Sequence, residues 1–289
     1  MVSYSSIRLD YEKCIKCGAC VRTCPAKVFV LEKKKPVVKY PEICIECTHC
    51  VAVCPGEAVI MPKFPIEMFE PVEDPGISFE SFLHLVNGRR SIRSFKQKPI
   101  EKELLETLMR AQKLSPTGEN AQELRYTIIS NSEVLDQVRE KMFKKFRLAW
   151  KLVKLPGVKF LLGIFVGKED AERLKISLQR MMERYAKGED PFLRGCQTLI
   201  VIHTRSKSTM KDLDAGIAGH QLNLAAETLG LGACWIGFHS ALSKRFSSIR
   251  KSSKVPKNHN VVGTLALGYP KENFKKYCVR KPVKTNYIE

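Results

Sequence analysis

Eight of the eleven cysteines fall within residues 14–54, in one pattern used twice. Cys14, Cys17, Cys20 and Cys24 precede Pro25; Cys44, Cys47, Cys50 and Cys54 precede Pro55. The run C-x2-C-x2-C-x3-C-P recurs after thirty residues, so an internal duplication is expected. Met1-Val2-Ser3-Tyr4 is not a basic stretch leading into an apolar one, so no secretory signal is expected and a cytoplasmic location is. Thiols stay reduced there, and the two runs read as metal ligands and not as disulfides.

Three cysteines at three-residue steps let a tight loop present three thiolates to one cubane, and Gly18 and Ala19 suit its close approach. The fourth, set before a proline that turns the chain away, reaches the other cubane. On this crossed rule Cys14, Cys17, Cys20 and Cys54 hold one 4Fe-4S cluster, and Cys44, Cys47, Cys50 and Cys24 hold a second. Zinc ribbons use two separated pairs, whereas a triplet plus Cys-Pro resembles the bacterial ferredoxin run at every position. Apolar stretches at Lys27–Leu31, Val37–Tyr40 and Ala58–Met61 read as hairpin strands of a small two-cluster domain over residues 1–63. So small a domain has little core, and its clusters are expected to supply much of its folding energy.

Pro62, Pro65, Pro71, Pro75 and Gly76 mark residues 64–80 as a linker. Residues 81–289 then alternate helical and strand patterns, a mixed α+β class. Strands are expected at Tyr126–Ile129, Leu199–Ile202, Ala233–Ile236 and Asn260–Leu267, and helices at Ser132–Phe146, Lys168–Lys187 and Asp212–Leu229. Asp214–Gly230 is apolar nearly all round, so it is expected to be buried in the domain or at a subunit interface, with His220 and Glu227 a satisfied polar pair on it. Trp150–Val166 is interrupted by Lys151, Lys154 and Lys159 and reads as a core or interface helix, not a membrane span. Cys196 and Cys234 sit in buried-strand patterns and are expected in the core. No G-x-G-x-x-G, G-x4-G-K-[ST] or H-E-x-x-H occurs, so neither NAD nor ATP is expected from motifs.

After the helix breaker Gly88 comes Arg89-Arg90-Ser91-Ile92-Arg93-Ser94-Phe95, three guanidiniums and a hydroxyl that can converge on a phosphate. Ser115–Gln122, Ala233–Phe238, Leu267-Gly268-Tyr269-Pro270 and Arg280-Lys281-Pro282 follow in order. Together these five segments resemble the nitroreductase family of FMN-dependent enzymes, over about residues 80–289. The resemblance implies a homodimer with FMN in a cleft at the subunit interface. It implies phosphate ligands at Arg89, Ser91 and Arg93, with Arg90 between them, and a C-terminal basic ligand at Arg280. It places Pro116, Thr117 and Asn120 beside the flavin ring, and gives Ile236 and Gly237 as the segment whose backbone N–H faces flavin N5. Relatives often carry an acidic residue at the place of Ile236 and a second basic one at that of Cys278.

Clusters pass electrons singly, whereas reducing an organic substrate usually takes two, and a flavin joins the two regimes. The expected function is therefore an oxidoreductase relaying electrons from an external donor through two 4Fe-4S clusters to FMN and on to a small organic acceptor, a nitro compound, quinone or enone. No side-chain acid or base is required, and none is assigned as catalytic. The 49 Lys and Arg against 30 Asp and Glu give a net charge of +19; each cluster with its thiolates and FMN subtract about two each, leaving roughly +13. Such a balance steers acidic carriers such as ferredoxin or flavodoxin. No aromatic-basic module points to nucleic acid. The alternative is a non-enzymatic redox-sensing or nucleic-acid-binding iron-sulfur protein.

Overall fold

The computed structural model describes residues 7–155, 157, 158, 164 and 167–289. The chain forms two compact units, one running to Gly76 and including residues 117–122, the other made of Ile77–Pro116 and Glu123–Glu289.

In the first unit, β2 (Phe29–Glu32) and β3 (Lys35–Val38) form a hairpin with Glu32 opposite Lys35. Lys33 and Lys34 make its two-residue turn, both at positive φ, as a primed turn requires. β4 (Val59–Ile60) pairs antiparallel with β1 (Arg8–Leu9), which had no signature in the sequence. Two one-turn helices, α1 (Ala19–Thr23) and α2 (His49–Ala52), each start one residue before the third cysteine of their run. The core holds only Ile7, Val28, Phe29, Val51, Val59, Met61 and a few thiols.

The second unit is built on an antiparallel sheet in the order β5 (Arg125–Ile129), β6 (Thr198–Thr204), β8 (Asn260–Gly268), β7 (Gly232–Trp235). Side chains alternate across a strand, and β6 shows it: Leu199 and Val201 enter one apolar cluster, Ile200 and Ile202 the other. The first cluster takes in α5 (Ser132–Val153) and α6 (Lys168–Ala186). The opposite cluster takes in α4 (Lys102–Gln112) and α7 (Lys211–Thr228), which follow α3 (Phe79–Gly88). Two short helices, α8 (Gly237–Arg245) and α9 (Ser247–Ser252), join β7 to β8. The class is mixed α+β.

α5 runs about two turns past its expected end at Phe146, because its apolar face of Leu135, Val138, Met142, Phe146 and Val153 continues at helical spacing. Trp150–Val153 lie on it, and of the remaining stretch to Val166 residues 156, 159–163, 165 and 166 lie outside the described residues. Cys196 and Cys234 are buried. α7 is buried on one face within this chain, so it is not a wholly buried central helix. Ala215, Ala218, Gly219, Leu222 and Ala226 face the sheet, whereas Leu213, Ile217 and His220 are exposed and Glu227 is half-buried. The helix carries apolar residues on both sides, and the described residues cover one of them. No helix among the described residues is long and apolar enough to cross a membrane.

Candidate redox centre

The two cysteine runs adopt the same backbone thirty residues apart. Lys16 and Glu46, Gly18 and Thr48, and Lys27 and Glu57 all have positive φ, pair by pair. The fourth thiol of each run accepts an N–H four residues on: Val28 N–H to Cys24 Sγ at 3.4 Å, Ala58 N–H to Cys54 Sγ at 3.2 Å. Such bonds place partial positive charge against sulfur.

The thiols sort across the duplication. One cavity is lined by Cys14, Cys17, Cys20 and Cys54, the other by Cys24, Cys44, Cys47 and Cys50. Burial, then Cys54 and Cys14, push the Cys20 thiol up, with the Val21 N–H opposing. Cys50 is pushed up to about 12 by burial, then by Cys44, Cys24 and Cys47. The raised Cys20 and Cys50 thiols would give up their protons to a bound metal ion, whose charge neutralises the sulfur. The all-sulfur donor set suits iron-sulfur clusters.

In the second unit the arginine run is laid along the edge of the sheet. Ser91 bridges Ala233, the Ile92 N–H donates to the Ala233 carbonyl at 3.1 Å, and the Lys96 N–H to that of Tyr269 at 2.9 Å. Gly232 permits this approach, since a Cβ there would lie 2.4 Å from Ile92 Cγ1. Arg90 is buried and donates from Nη1 to the carbonyls of Asn87 and Arg89. The buried Nε atoms of Arg89 and Arg90 have no acceptor among the described residues. Unpaired buried guanidinium nitrogen suits a ligand rich in acceptor oxygens. Arg93 is exposed, and with Arg194 it opposes the rise that burial imposes on the Cys234 thiol. A cleft of about 710 Å³ beside the run is lined by Arg90, Ile92 and Lys96 and by Lys271, Lys275 and Lys276. It falls within the size of small-molecule sites.

Two of the places that the family resemblance implies already carry hydrogen bonds within the chain. The Ile236 N–H already donates to the Thr264 carbonyl at 2.8 Å, and the Ile236 carbonyl accepts from the His239 and Ser240 N–H groups; Gly237 opens α8, where an N–H precedes the helix's own ladder of hydrogen bonds. Asn120 donates from Nδ2 to the carbonyls of Ile45 and Glu46, at 3.2 and 3.1 Å, within the iron-sulfur unit. Thr117 Oγ1 accepts the Gln122 N–H at 3.0 Å, and Glu119, Asn120 and Gln122 are all at positive φ. Pro116 precedes this segment, and Arg280 is exposed in the C-terminal stretch.

α8 is held from below by its one buried histidine. His239 meets Thr264 Oγ1 at 2.8 Å through Nδ1 and Ser253 Oγ at 2.7 Å through Nε2, and burial lowers it to about 4. The imidazole is therefore neutral at ordinary pH. The lysines of the cleft and His239 were not singled out from sequence; a search for basic residues just beyond Gly268-Tyr269-Pro270 would have found the former.

Residues 86–269 match the nitroreductase family, and residues 6–55 match a 4Fe-4S dicluster domain. The chain belongs to the nitroreductase family. It is similar to a protein of Archaeoglobus fulgidus named NADH dehydrogenase/NAD(P)H nitroreductase, 22% identical over 67% of this chain and 87% of that protein. A Methanothermobacter thermautotrophicus protein of the same name is 24% identical over 69% of this chain and 83% of its own length. Among solved structures, the fold is shared with a nitroreductase with bound FMN from Bacteroides fragilis, at 22% identity and a TM-score of 0.54 over 71% of this chain and 97% of that one. It is likewise shared with a nitroreductase with bound FMN from Desulfitobacterium hafniense, at 22% identity and 0.54 over 72% and 97%. This nitroreductase-family chain is thus an oxidoreductase whose N-terminal unit is of the 4Fe-4S ferredoxin type.

Proposed function

We propose that this protein takes single electrons from an external carrier onto two 4Fe-4S clusters and delivers them through FMN to a small organic acceptor such as a nitro compound, quinone or enone. The observation that carries the reading is the crossed sorting of eight thiols into two four-sulfur cavities, on the same chain as a nitroreductase-family unit. Cys14, Cys17, Cys20 and Cys54 would hold one cluster, and Cys24, Cys44, Cys47 and Cys50 the other. Bound FMN supplies the step from one-electron to two-electron chemistry. Arg89, Ser91 and Arg93 would bind its phosphate, helped by Arg280, while Arg90 stiffens the run by capping Asn87 and Arg89. Gly237 offers an N–H at the start of α8, and Pro116, Thr117 and Asn120 complete the flavin-side loop. Bound-FMN relatives of the same fold support the cofactor.

The exposed apolar face of α7, with Leu213 and Ile217, supports a homodimer. Eleven free thiols accord with a reducing, cytoplasmic location. The test is anaerobic purification with iron and flavin quantitation, then reoxidation of the reduced protein by a panel of acceptors. Changing Arg89 and Arg93 together to Ala is expected to abolish flavin retention and leave iron content unchanged. Undiminished flavin in that variant would place the phosphate elsewhere.

A further inference from the structure

The two cluster loops share a backbone but not an electrostatic character. Residues 8–37, around the first run, contain eight Lys and Arg against three Asp and Glu; residues 38–67, around the second, contain two against four. The reversal is sharpest inside the loops. Lys16 and Glu46 occupy the same position with the same left-handed backbone.

The loops also differ in cover. In the first, Ile15 is 67% exposed, and Lys13, Lys16 and the Cys17 thiol are exposed with it. Neither Lys13 nor Lys16 has an ion-pair partner among the described residues. In the second, Ile45, Glu46 and Cys47 are half-buried. Asn120 ties down the Ile45 and Glu46 carbonyls, Thr48 Oγ1 donates to the Cys47 carbonyl at 2.7 Å, and Glu46 is paired with Lys63. The first loop is instead held from within, by Arg22 Nη1 donating to the Cys17 carbonyl at 2.8 Å. One loop is fastened and covered; its twin is left open, apolar at Ile15 and rimmed by unpaired cations.

From this asymmetry we propose that the open loop Lys13–Cys17 is the docking surface for an acidic ferredoxin, and that electrons enter at the cluster held by Cys14, Cys17, Cys20 and Cys54. The inference rests on the proposed cluster assignment. Complementary charge steers encounter, and a small apolar contact at its centre sets the register. Lys33 and Lys34, at the β2–β3 turn, are exposed on the same basic repeat and extend the attractive field. The step is balanced: the reduced ferredoxin gives up one electron and the entry cluster gains it, with no proton or bond changing hands.

The test replaces Lys13 and Lys16 by Glu in the full chain. Glu46 shows that glutamate fits the left-handed position of Lys16, so the fold is expected to stand. Stopped-flow mixing with an excess of a reduced, acidic bacterial ferredoxin follows the bleaching of the clusters at low ionic strength. The second-order rate is expected to fall at least tenfold in K13E/K16E, and the gap to close in high salt as charges are screened. Iron content, the spectrum and reduction by dithionite are expected to be unchanged. K251E/K257E, which makes the same change of net charge on the other unit, is expected to slow the reaction less than twofold. Equal slowing by both variants, no slowing by K13E/K16E, or no reduction of the wild type by ferredoxin would overturn the proposal. The readout is cluster reduction and needs no bound flavin, so a failure of the FMN assignment would show separately, as missing flavin with docking intact.

Discussion

Acidification should loosen α8 through His239, and the size of the effect follows from its surroundings. The imidazole is fully buried between Thr264 and Ser253, and its folded pKa of about 4 lies well below the ordinary histidine value of 6.5. The unfolded chain therefore binds the proton first as pH falls. The neutral ring's contribution to stability is complete above about pH 6.5 and is lost progressively as pH drops towards 4. At pH 5 the deficit relative to pH 7.5 comes to about 2 kcal/mol. For a unit of this size that is roughly 4–8 °C in Tm. Both tryptophans, Trp150 and Trp235, belong to this unit, so their fluorescence reports its melting. His203 is also lowered to about 4, by burial and then by His259, and His259 is itself lowered, so a wild-type melt alone mixes three histidines. His239→Gln isolates one. The variant is expected to melt below wild type at pH 7.5, and to lose roughly 4–8 °C less than wild type between pH 7.5 and pH 5. Parallel losses in the two proteins would refute the reasoning. Since α8 begins at Gly237, flavin release in mild acid is expected to track the same histidine.

Gly232→Ala would drive a Cβ to within 2.4 Å of the buried Ile92 side chain. Overpacking of this kind costs about 1–3 kcal/mol, so a lower Tm by tryptophan fluorescence and reduced flavin content are expected; a variant as stable and as yellow as wild type would show that Ile92 yields freely. Gly56→Ala would set a Cβ 2.5 Å from the Lys13 carbonyl oxygen, a backbone atom next to Cys14, while Gly56 itself lies two residues after Cys54. Since both cysteines line one cavity, that variant is expected to lose about half its iron, and an undiminished iron content would contradict the crossed pairing.

How far the sequence could be read depended on whether a feature was local. The cysteine runs were legible because each ligand's neighbours are named by spacing alone, and β6 because seven consecutive residues are buried on both faces of the sheet. β1 was not, since two residues carry no period, and its partner lies about fifty positions on. The one-sided burial of α7 was hidden because both of its faces are apolar. Arg90 looked interchangeable with Arg89 and Arg93, yet its guanidinium turns back onto the Asn87 and Arg89 carbonyls. Nothing in the run Ser115–Gln122 announces that Asn120 bonds to a loop more than seventy residues earlier.

That last contact bears on how such a chain is inherited. Residues 117–122 are encoded within the flavin-type unit, forty residues from its start, but fold with the iron-sulfur one. Severing the polypeptide after Gly76 would therefore strand the Ile45 and Glu46 carbonyls without the amide that caps them. The N-terminal portion is not a detachable cassette, and swapping it for a foreign ferredoxin would require replacing this six-residue insert as well.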